Sequence, residues 1–187
     1  MMKRDECLQI LARHAPDDIV VSVFSAAFDW VKIRPHALNF THVGAMGLAA
    51  SYGLGLALGR PNRKVLVLDG DGSLLMSLNT LVTIGSVAPR NFYHFVCKNG
   101  TYEVNGGHPI PGAGIVDFAA HARAAGYRNT YVFDDLAQFE NEIGAVLEQE
   151  GPIFVTLKLV PGAEAEHDYA KLYAEENRLA FKRALAE

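Results

Sequence analysis

Residues 65–73, with the sequence VLVLDGDGS, decide the fold of this chain. The uncharged aliphatic run at their start is typical of a buried strand, and the glycines that follow permit a tight turn. Residues 92–102, FYHFVCKNGTY, form a second apolar run that also ends in glycine and polar side chains. Ligands of open α/β sheets bind just beyond the carboxyl ends of the strands. The two runs therefore predict parallel strands with a ligand site at their ends.

Two oxygen-bearing side chains stand at these strand ends, Asp71 and Asn99, which are 28 positions apart. Carboxylate and amide oxygens suit Mg²⁺, and glycine lets backbone amides approach a phosphate closely. A calcium loop that began at Asp69 would need glycine at its sixth position and a carboxylate at its twelfth. Leu74 and Thr80 occupy those positions, which excludes the calcium loop. The pattern therefore predicts a diphosphate held through magnesium.

Ser73 precedes another apolar segment, and serine at such a position is a common helix N-cap. A helix that begins there directs free backbone amides and the positive end of its dipole towards a phosphate. We therefore expect Gly72 and Ser73 to contact the diphosphate.

Strand-like and helix-like segments alternate along the chain. Predicted strands lie at residues 18–23, 64–69, 91–97, 130–133 and 153–159. Predicted helices lie at residues 3–14, 45–58, 74–86, 116–125, 136–149 and about 165–186. Residues 24–41 are read as irregular and residues 98–114 as a long loop. The alternation predicts an α/β fold over residues 1–187, a single domain with a three-layer, doubly wound parallel sheet and helices on both faces.

Residues 43–59 carry no charge and contain a small residue at every fourth position, namely Gly47, Ser51, Gly55 and Gly59. Such residues form one ridge along a helix and allow close backbone approach to a neighbouring element. The five glycines of this segment and its isolation in the chain favour a buried, tightly packed helix over a membrane span.

Composition restricts the class of protein. The 187 residues carry a formal net charge of −4, which does not favour nucleic acid or an anionic membrane as a partner. Cys7 and Cys97 have no metal-ligand neighbours at useful spacing, so we expect reduced thiols in a cytoplasmic protein. The first residues, MMKRDE, lack the apolar core of a signal peptide.

The paired motif resembles the signature of thiamine diphosphate enzymes, a Gly-Asp-Gly followed downstream by Asn-Asn, although Lys98 replaces the first Asn here. The segment HVGAMG at residues 42–47 and residues 99–109 extend the likeness. Over roughly residues 17 to 160 the chain resembles the cofactor-binding subunits of sulfopyruvate and phosphonopyruvate decarboxylases. The resemblance implies thiamine diphosphate and Mg²⁺ as cofactors.

The resemblance also implies roles for individual residues. Asp71, Asn99 and the backbone carbonyl of Thr101 would be the metal ligands. Backbone at Gly44 and Met46 would bind the aminopyrimidine ring, with the Met46 side chain bending the cofactor. The cofactor-binding residues are then Gly44, Met46, Gly70, Asp71, Gly72, Ser73, Asn99, Thr101 and Tyr102.

The family pattern does not identify two kinds of residue in this chain, the first diphosphate contact and the catalytic residues. Relatives make a first diphosphate contact in a Ser-x-Thr-Gly-like segment after the first strand, where this chain has SVFSAA at residues 22–27. Ser22 and Ser25 are therefore only candidates for that contact. The catalytic residues are not identified, with His42, His108 and Asn105 as candidates beside the glycine-rich segments. His94, within a strand, is read as a structural residue.

The resemblance implies a 2-oxoacid decarboxylase whose substrate is a small 2-oxoacid. In such enzymes a second, pyrimidine-binding domain supplies the glutamate that activates the cofactor, so we expect a partner chain, a hetero-oligomer, and no activity from this chain alone. Two alternatives remain: the matching subunit of another thiamine diphosphate enzyme, carboligating or oxidative, and a non-catalytic cofactor-binding module. The small number of cysteines disfavours an oxidoreductase linked to an iron–sulfur cluster.

Overall fold

The computed structural model describes residues 1–162 and 167–186. Its strands, in chain order, are β1 (Ile19–Ser22), β2 (Asn39–Phe40), β3 (Val65–Gly70), β4 (Phe92–Lys98), β5 (Thr101–Tyr102), β6 (His108–Pro109), β7 (Asn129–Phe133) and β8 (Ile153–Lys158). Six of these strands form one parallel sheet in the order β2-β1-β3-β4-β8-β7. Strands β5 and β6 form a separate antiparallel hairpin. Chain order reverses between β1 and β3, which makes their carboxyl ends the switch point of the sheet.

Helices cover both faces of the sheet. They are α1 (Arg4–His14), α2 (Phe24–Ile33), α3 (Ala49–Gly59), α4 (Asp71–Leu75), α5 (Thr80–Val87), α6 (Phe118–Ala124), α7 (Leu136–Leu147), α8 (Tyr169–Leu172) and α9 (Glu175–Ala186). Side chains of β3 alternate between two cores, because Leu66 and Leu68 pack with residues of α1, α2 and α7 while Val65 and Val67 pack with residues of α3, α5 and α6. The predicted three-layer α/β fold with a parallel sheet is confirmed.

Helix α3 packs on the sheet through a different row of small residues from the predicted one. Ser51, Gly55 and Gly59 are exposed. The buried row consists of Ala49, Gly53 and Ala57, with Ala50 buried beside it. A Cβ atom at Gly53 would lie 2.3 Å from Cγ2 of Val67, so glycine is what permits the close approach. Both rows have small residues at every fourth position, and for this reason the sequence did not distinguish them.

Within the described residues, no helix combines the length and apolar character needed to cross a membrane.

Residues 24–41 are not irregular, as the sequence indicated, because they contain α2 and β2. Phe24, the first residue of α2, has a positive φ of 47°, and the N-cap residue Val23 makes no side-chain capping bond. The helix thus begins directly after β1 without the capping residue that usually marks a helix start.

Two predicted helices are each divided in two. The helix predicted at 74–86 is instead α4 and α5, because the amides of Met76, Ser77 and Thr80 bond three residues back and form tight turns between them. The last predicted helix is α8 and α9 within the described residues, and its residues 165–166 lie outside them. The carbonyl of Leu172, at the end of α8, accepts a hydrogen bond from Oγ1 of Thr41 at 3.0 Å.

Candidate functional site

A pocket lies at the carboxyl edge of the sheet, at the switch point between β1 and β3. Residues that follow three strands line it, and they are Val23–Ala26 after β1, 69–73 at the end of β3 and Cys97, Asn99 and 101–104 around the end of β4. Arg4 and Met46 complete the wall. The sheet therefore brings together at one edge the turns that the sequence predicted to meet.

Asp71 joins the two main turns of the pocket. Its side chain is buried, its Oδ1 accepts the amide of Gly72 at 2.8 Å and its Oδ2 accepts the amide of Gly100 at 2.7 Å. No Lys, Arg or His of the described residues forms an ion pair with it. Burial raises the pKa of this carboxyl, against the opposing effects of backbone amides and of Lys98. A buried carboxylate with no counter-charge is a natural cation ligand.

Asn99 shapes the second turn. Its Oδ1 accepts the amide of Thr101 at 2.9 Å and, over a longer distance of 3.4 Å, the hydroxyl of Thr101. Thr101 and Tyr102 form β5 and pair with β6. Lys98, which stands where the family signature has its first Asn, donates from Nζ to the carbonyl of Val116 at 2.8 Å. This bond therefore ties the start of the loop after β4 to its end at Val116.

The third segment of the site, HVGAMG at residues 42–47, is tied to the turn after β3. Oγ of Ser73 accepts the amide of Gly47 at 2.9 Å. Ser73 is buried and lies inside α4, so the prediction that it is the N-cap is wrong. The helix begins at Asp71, directly after β3, which places the serine in its first turn with its hydroxyl free to bond Gly47.

Gly72 lies against the β5–β6 hairpin. A Cβ atom at this glycine would lie 2.4 Å from Cε1 of Tyr102 and 3.1 Å from Cγ2 of Ile110. Only glycine therefore allows the hairpin to reach the turn after β3. Met46 also lines the pocket and is half-buried, whereas Gly44 is exposed, has a φ of +75° and lies outside the lining.

Residues 20–157 match the family model described as thiamine pyrophosphate enzyme, C-terminal TPP binding domain. The chain belongs to the thiamine pyrophosphate enzyme family. The resemblance read from its motifs is confirmed, and these residues form a domain that binds thiamine diphosphate.

Named relatives agree with the family. The chain is 42% identical over 125 residues to a phosphonopyruvate decarboxylase of Streptomyces viridochromogenes, a match that covers 67% of this chain and 31% of that protein. It is 34% identical over 177 residues to sulfopyruvate decarboxylase subunit beta of Methanothermobacter thermautotrophicus, with 94% of this chain and 91% of that protein covered. The chain spans about a third of the length of the phosphonopyruvate decarboxylases that it matches.

A solved structure shares the fold. The thiamine diphosphate-dependent 4-hydroxybenzoylformate decarboxylase of Rhodococcus jostii RHA1 superposes with a TM-score of 0.73 at 19% identity. The superposition covers 86% of this chain and 33% of that chain.

The pocket suits a diphosphate held by a hard cation. Among its lining residues are the Asp71 carboxylate and the Asn99 amide, which offer oxygen ligands of the kind that Mg²⁺ prefers. In the described part of the chain, no group of three His, Cys, Asp or Glu residues is arranged to hold a metal ion. A metal at this site would therefore depend on the diphosphate for further ligands.

The catalytic candidates do not line the pocket. Asn105 and His108 are exposed at and beside the tip of the β5–β6 hairpin. His42 is half-buried between the rings of Phe40 and Tyr173, with centroid distances of 6.3 and 5.8 Å. Their catalytic roles stay predictions.

The two serines proposed for the first diphosphate contact are separated by the fold. Ser25 lines the pocket at the start of α2. Ser22 is fully buried in β1 and lies outside the pocket lining. Of the two, Ser25 is the one placed to meet a ligand.

A buried polar chain supports the turn after β3 from inside the core. Asp69 lines the pocket, and its Oδ1 accepts the amide of Gly70 at 2.9 Å. Its Oδ2 lies 3.3 Å from Nε2 of His94, whose Nδ1 lies 3.2 Å from the hydroxyl of Tyr127. Burial, and then the charge of Asp69, raise the pKa of Tyr127. His94 thus has the structural surroundings that its place in a strand predicted.

Sequence reasoning missed a charged cluster at the wall of the pocket. Arg4 and Glu103 line it and form an ion pair, and Arg4 also bonds Asp29. Because Arg4 and Glu103 are 99 positions apart, no local pattern joins them. Cys97 lies beside this cluster, but burial raises the pKa of its thiol to about 12, so the free thiol stays protonated near neutral pH.

Proposed function

We propose that this chain is the cofactor-binding subunit of a thiamine diphosphate- and Mg²⁺-dependent 2-oxoacid decarboxylase. In this proposal residues 1–187 act as one domain, in the cytoplasm, and a second chain completes the active site. When bound, thiamine diphosphate supplies a carbanion that attacks the 2-oxo carbon and an electron sink for carbon dioxide loss. This chain holds the diphosphate and the cation.

The buried carboxylate of Asp71 is the observation that carries the proposal. It lies between two glycine-rich turns, has backbone amides as partners and is unpaired with any cation among the described residues. Mg²⁺ would supply the missing positive charge, with Asn99 and the Thr101 carbonyl as further ligands. Gly70, Gly72 and Ser73 would contact the diphosphate, and Tyr102 would close over it.

The names of the relatives support the choice of reaction. Phosphonopyruvate and sulfopyruvate are both 2-oxoacids with an anionic group on the third carbon, and the similar proteins are named as decarboxylases of these compounds. We propose a substrate of the same class, a small 2-oxoacid. No side chain of the described pocket is assigned to its distal anion.

Exposed apolar side chains next to the cofactor segments support a partner chain. Leu48, Tyr52, Met76 and Val82 have exposed fractions of 39%, 42%, 52% and 62%. Gly47, which precedes Leu48, would have its Cβ 3.2 Å from Cβ of Met76, so Met76 lies beside the segment at residues 42–47. We propose that the pyrimidine-binding subunit covers this surface and contributes the glutamate that activates the cofactor.

Calorimetry of thiamine diphosphate binding in the presence of Mg²⁺ tests the metal site. We expect Asp71→Ala and Asn99→Ala to weaken binding by more than about tenfold, the lower end of what a disrupted metal shell costs. Asp135→Ala is the matched control, because Asp135 also accepts a backbone amide, at 2.9 Å from Gln138, but caps α7 away from the pocket. Unchanged affinity in both site variants would contradict the proposal.

Carbon dioxide release tests the reaction. We expect no turnover of sulfopyruvate or phosphonopyruvate by this chain alone, and turnover when it is purified with a co-expressed pyrimidine-binding subunit. Decarboxylation by the isolated chain would refute the need for a partner. A complex that binds the cofactor but processes no 2-oxoacid would favour a non-catalytic module, and a carboligated or oxidised product would favour another thiamine diphosphate enzyme.

A further inference from the structure

Arg4 is a positively charged residue in the wall of the pocket, and it belongs to none of the sequence motifs described above. It lies in the first turn of α1, and its Nε donates to Oδ2 of Asp29 in α2 at 2.7 Å. Its Nη1 donates to a carboxylate oxygen of Glu103. The side chains of Arg4 and Glu103 are only 14% and 13% exposed. Breaking such a pair is costly because the remaining charge stays largely buried without its partner.

Glu103 gathers contacts from separate parts of the chain. Besides the guanidinium of Arg4, it accepts the amide of Gly162 at 2.5 Å, and Ser25, at the start of α2, lies close enough to help lower its pKa. The start of α1, the start of α2 and the segment after β8 therefore meet at one carboxylate. Glu103 directly follows Tyr102, the residue whose ring contacts Gly72.

We propose that Arg4 is a positioning residue of the cofactor site, which acts through Glu103 to hold the β5–β6 hairpin against the turn after β3. The inference rests on the proposed function, because the hairpin follows Asn99 and begins with Thr101, the proposed cation ligands. Arg4 fixes Glu103, Glu103 fixes the adjoining strand β5, and β5 sets the position of those oxygens.

The base of the hairpin has backbone anchors of its own. Gly100 donates to Asp71 at 2.7 Å and accepts the amide of Ile110 at 3.0 Å, so the base of the hairpin is fixed on one side. Residues 105–109 are exposed. The contacts of Glu103 hold the opposite side of the hairpin, so the ion pair with Arg4 is a charged anchor of that side.

The same helix offers a matched control. Arg13, in the last turn of α1, forms an ion pair with Glu140 of α7, and the two side chains are 56% and 54% exposed. Neither residue lines the pocket. Exposed pairs of this kind contribute little because water screens them. Arg13→Gln therefore removes an arginine–glutamate pair from α1 without touching the hairpin.

Two measurements on Arg4→Gln, Arg4→Lys, Glu103→Gln and Arg13→Gln test the proposal. The first is hydrogen exchange of residues 99–110 in the cofactor-free chain. The second is calorimetry of thiamine diphosphate binding with Mg²⁺. In Arg4→Gln and Glu103→Gln we expect faster hydrogen exchange that is confined to the hairpin. We also expect thiamine diphosphate to bind more weakly, on the order of tenfold, as when outer-shell partners of a metal site are lost. Arg4→Lys keeps the charge and should recover part of both effects, while Arg13→Gln should match the wild type.

The double variant Arg4→Gln/Glu103→Gln adds a test of coupling. We expect it to bind the cofactor about as weakly as either single variant, because residues that act as one unit are not additive. Wild-type exchange and affinity in both single variants would overturn the proposal, as would faster exchange spread evenly over the whole chain. If the chain binds no thiamine diphosphate even together with the pyrimidine-binding subunit, the proposed function fails, and hairpin exchange in the free chain still decides the role of Arg4.

Discussion

The two turns that form the site are built differently. The turn after β3 is buried, with Asp71 and Ser73 only 2% and 5% exposed, and it is held by the sheet and by the backbone amides of Gly47 and Gly72. The hairpin after β4 is exposed at residues 105–109 and is held by distant partners, among them Arg4 through Glu103. Folding of the sheet therefore shapes the first turn directly, whereas long-range side-chain contacts place the second.

Gly72→Ala disrupts the contact between these two regions. It should have the largest effect on stability and on cofactor affinity. The new methyl group would lie 2.4 and 2.6 Å from two atoms of the Tyr102 ring, so the hairpin must move away. We expect the free energy of unfolding to fall by about 2–3 kcal/mol, as in an overpacked core. Cofactor affinity should fall by about tenfold or more, because Asn99 and Thr101, the proposed cation ligands, would move with the hairpin. Urea denaturation and calorimetry measure the two effects.

Two control variants separate the steric clash with Tyr102 from the general effect of replacing glycine with alanine. Gly55→Ala, on the exposed face of α3, meets nothing within 4 Å and should raise stability by about 0.5–1 kcal/mol, because alanine favours helix over glycine. Adding Tyr102→Ala to Gly72→Ala removes the ring and should recover part of the stability. A Gly72→Ala chain with wild-type stability and affinity would show that the two turns are not in firm contact.

Ser73→Ala tests the buried turn alone. The hydroxyl that accepts the Gly47 amide is lost, and the amide stays buried without a partner. We expect a loss of about 1–2 kcal/mol in the free energy of unfolding, the cost of an unsatisfied buried donor. Ser86→Ala, at an exposed position of α5, should change stability by less than about 0.5 kcal/mol. Equal effects of the two substitutions in urea denaturation would count against the Ser73 contact.

The two regions should also respond to acid in opposite directions. Burial raises the pKa of Asp71 above its ordinary value of 3.8. Burial also acts to raise the pKa of Glu103, but the Gly162 amide, Arg4 and Ser25 outweigh it and lower this pKa below the ordinary 4.5. Carbon-13 NMR titration of the side-chain carboxyls in the cofactor-free chain should show both displacements.

The signs of the stability effects follow from these pKa directions. A lowered pKa means that Glu103 stabilises the fold above pH 4.5 and that this contribution is lost as pH falls through its folded pKa. A raised pKa means that the contribution of Asp71 is fully present below pH 3.8 and is lost as pH rises through its folded pKa. The stability difference between wild type and Glu103→Gln should therefore shrink in acid. A constant difference between pH 7 and pH 3 would contradict the assignment.

The same contrast explains how much the sequence predicts. The turn after β3 is contiguous with its strand, so residues 65–73 were enough to predict the strand, the turn and the place of Asp71. The hairpin anchor was missed because Arg4 and Glu103 are far apart in the chain, and nothing beside either residue marks the pair. Helix α2 was missed for a local reason, since it begins at Phe24 with a positive φ and no capping side chain.

Substitutions at the hairpin tip should have the smallest effect on folding and cofactor binding. Asn105 and His108 are exposed, and neither lines the pocket. We expect Asn105→Ala and His108→Ala to change the free energy of unfolding by less than about 0.5 kcal/mol and to leave the thiamine diphosphate affinity of the isolated chain unchanged. If either residue faces the substrate in the proposed complex with a partner chain, its substitution should instead lower carbon dioxide release by that complex. Full activity of the complex in both variants would remove Asn105 and His108 as catalytic candidates. Weakened cofactor binding by the isolated chain would instead show that the tip of the hairpin is part of the proposed diphosphate site.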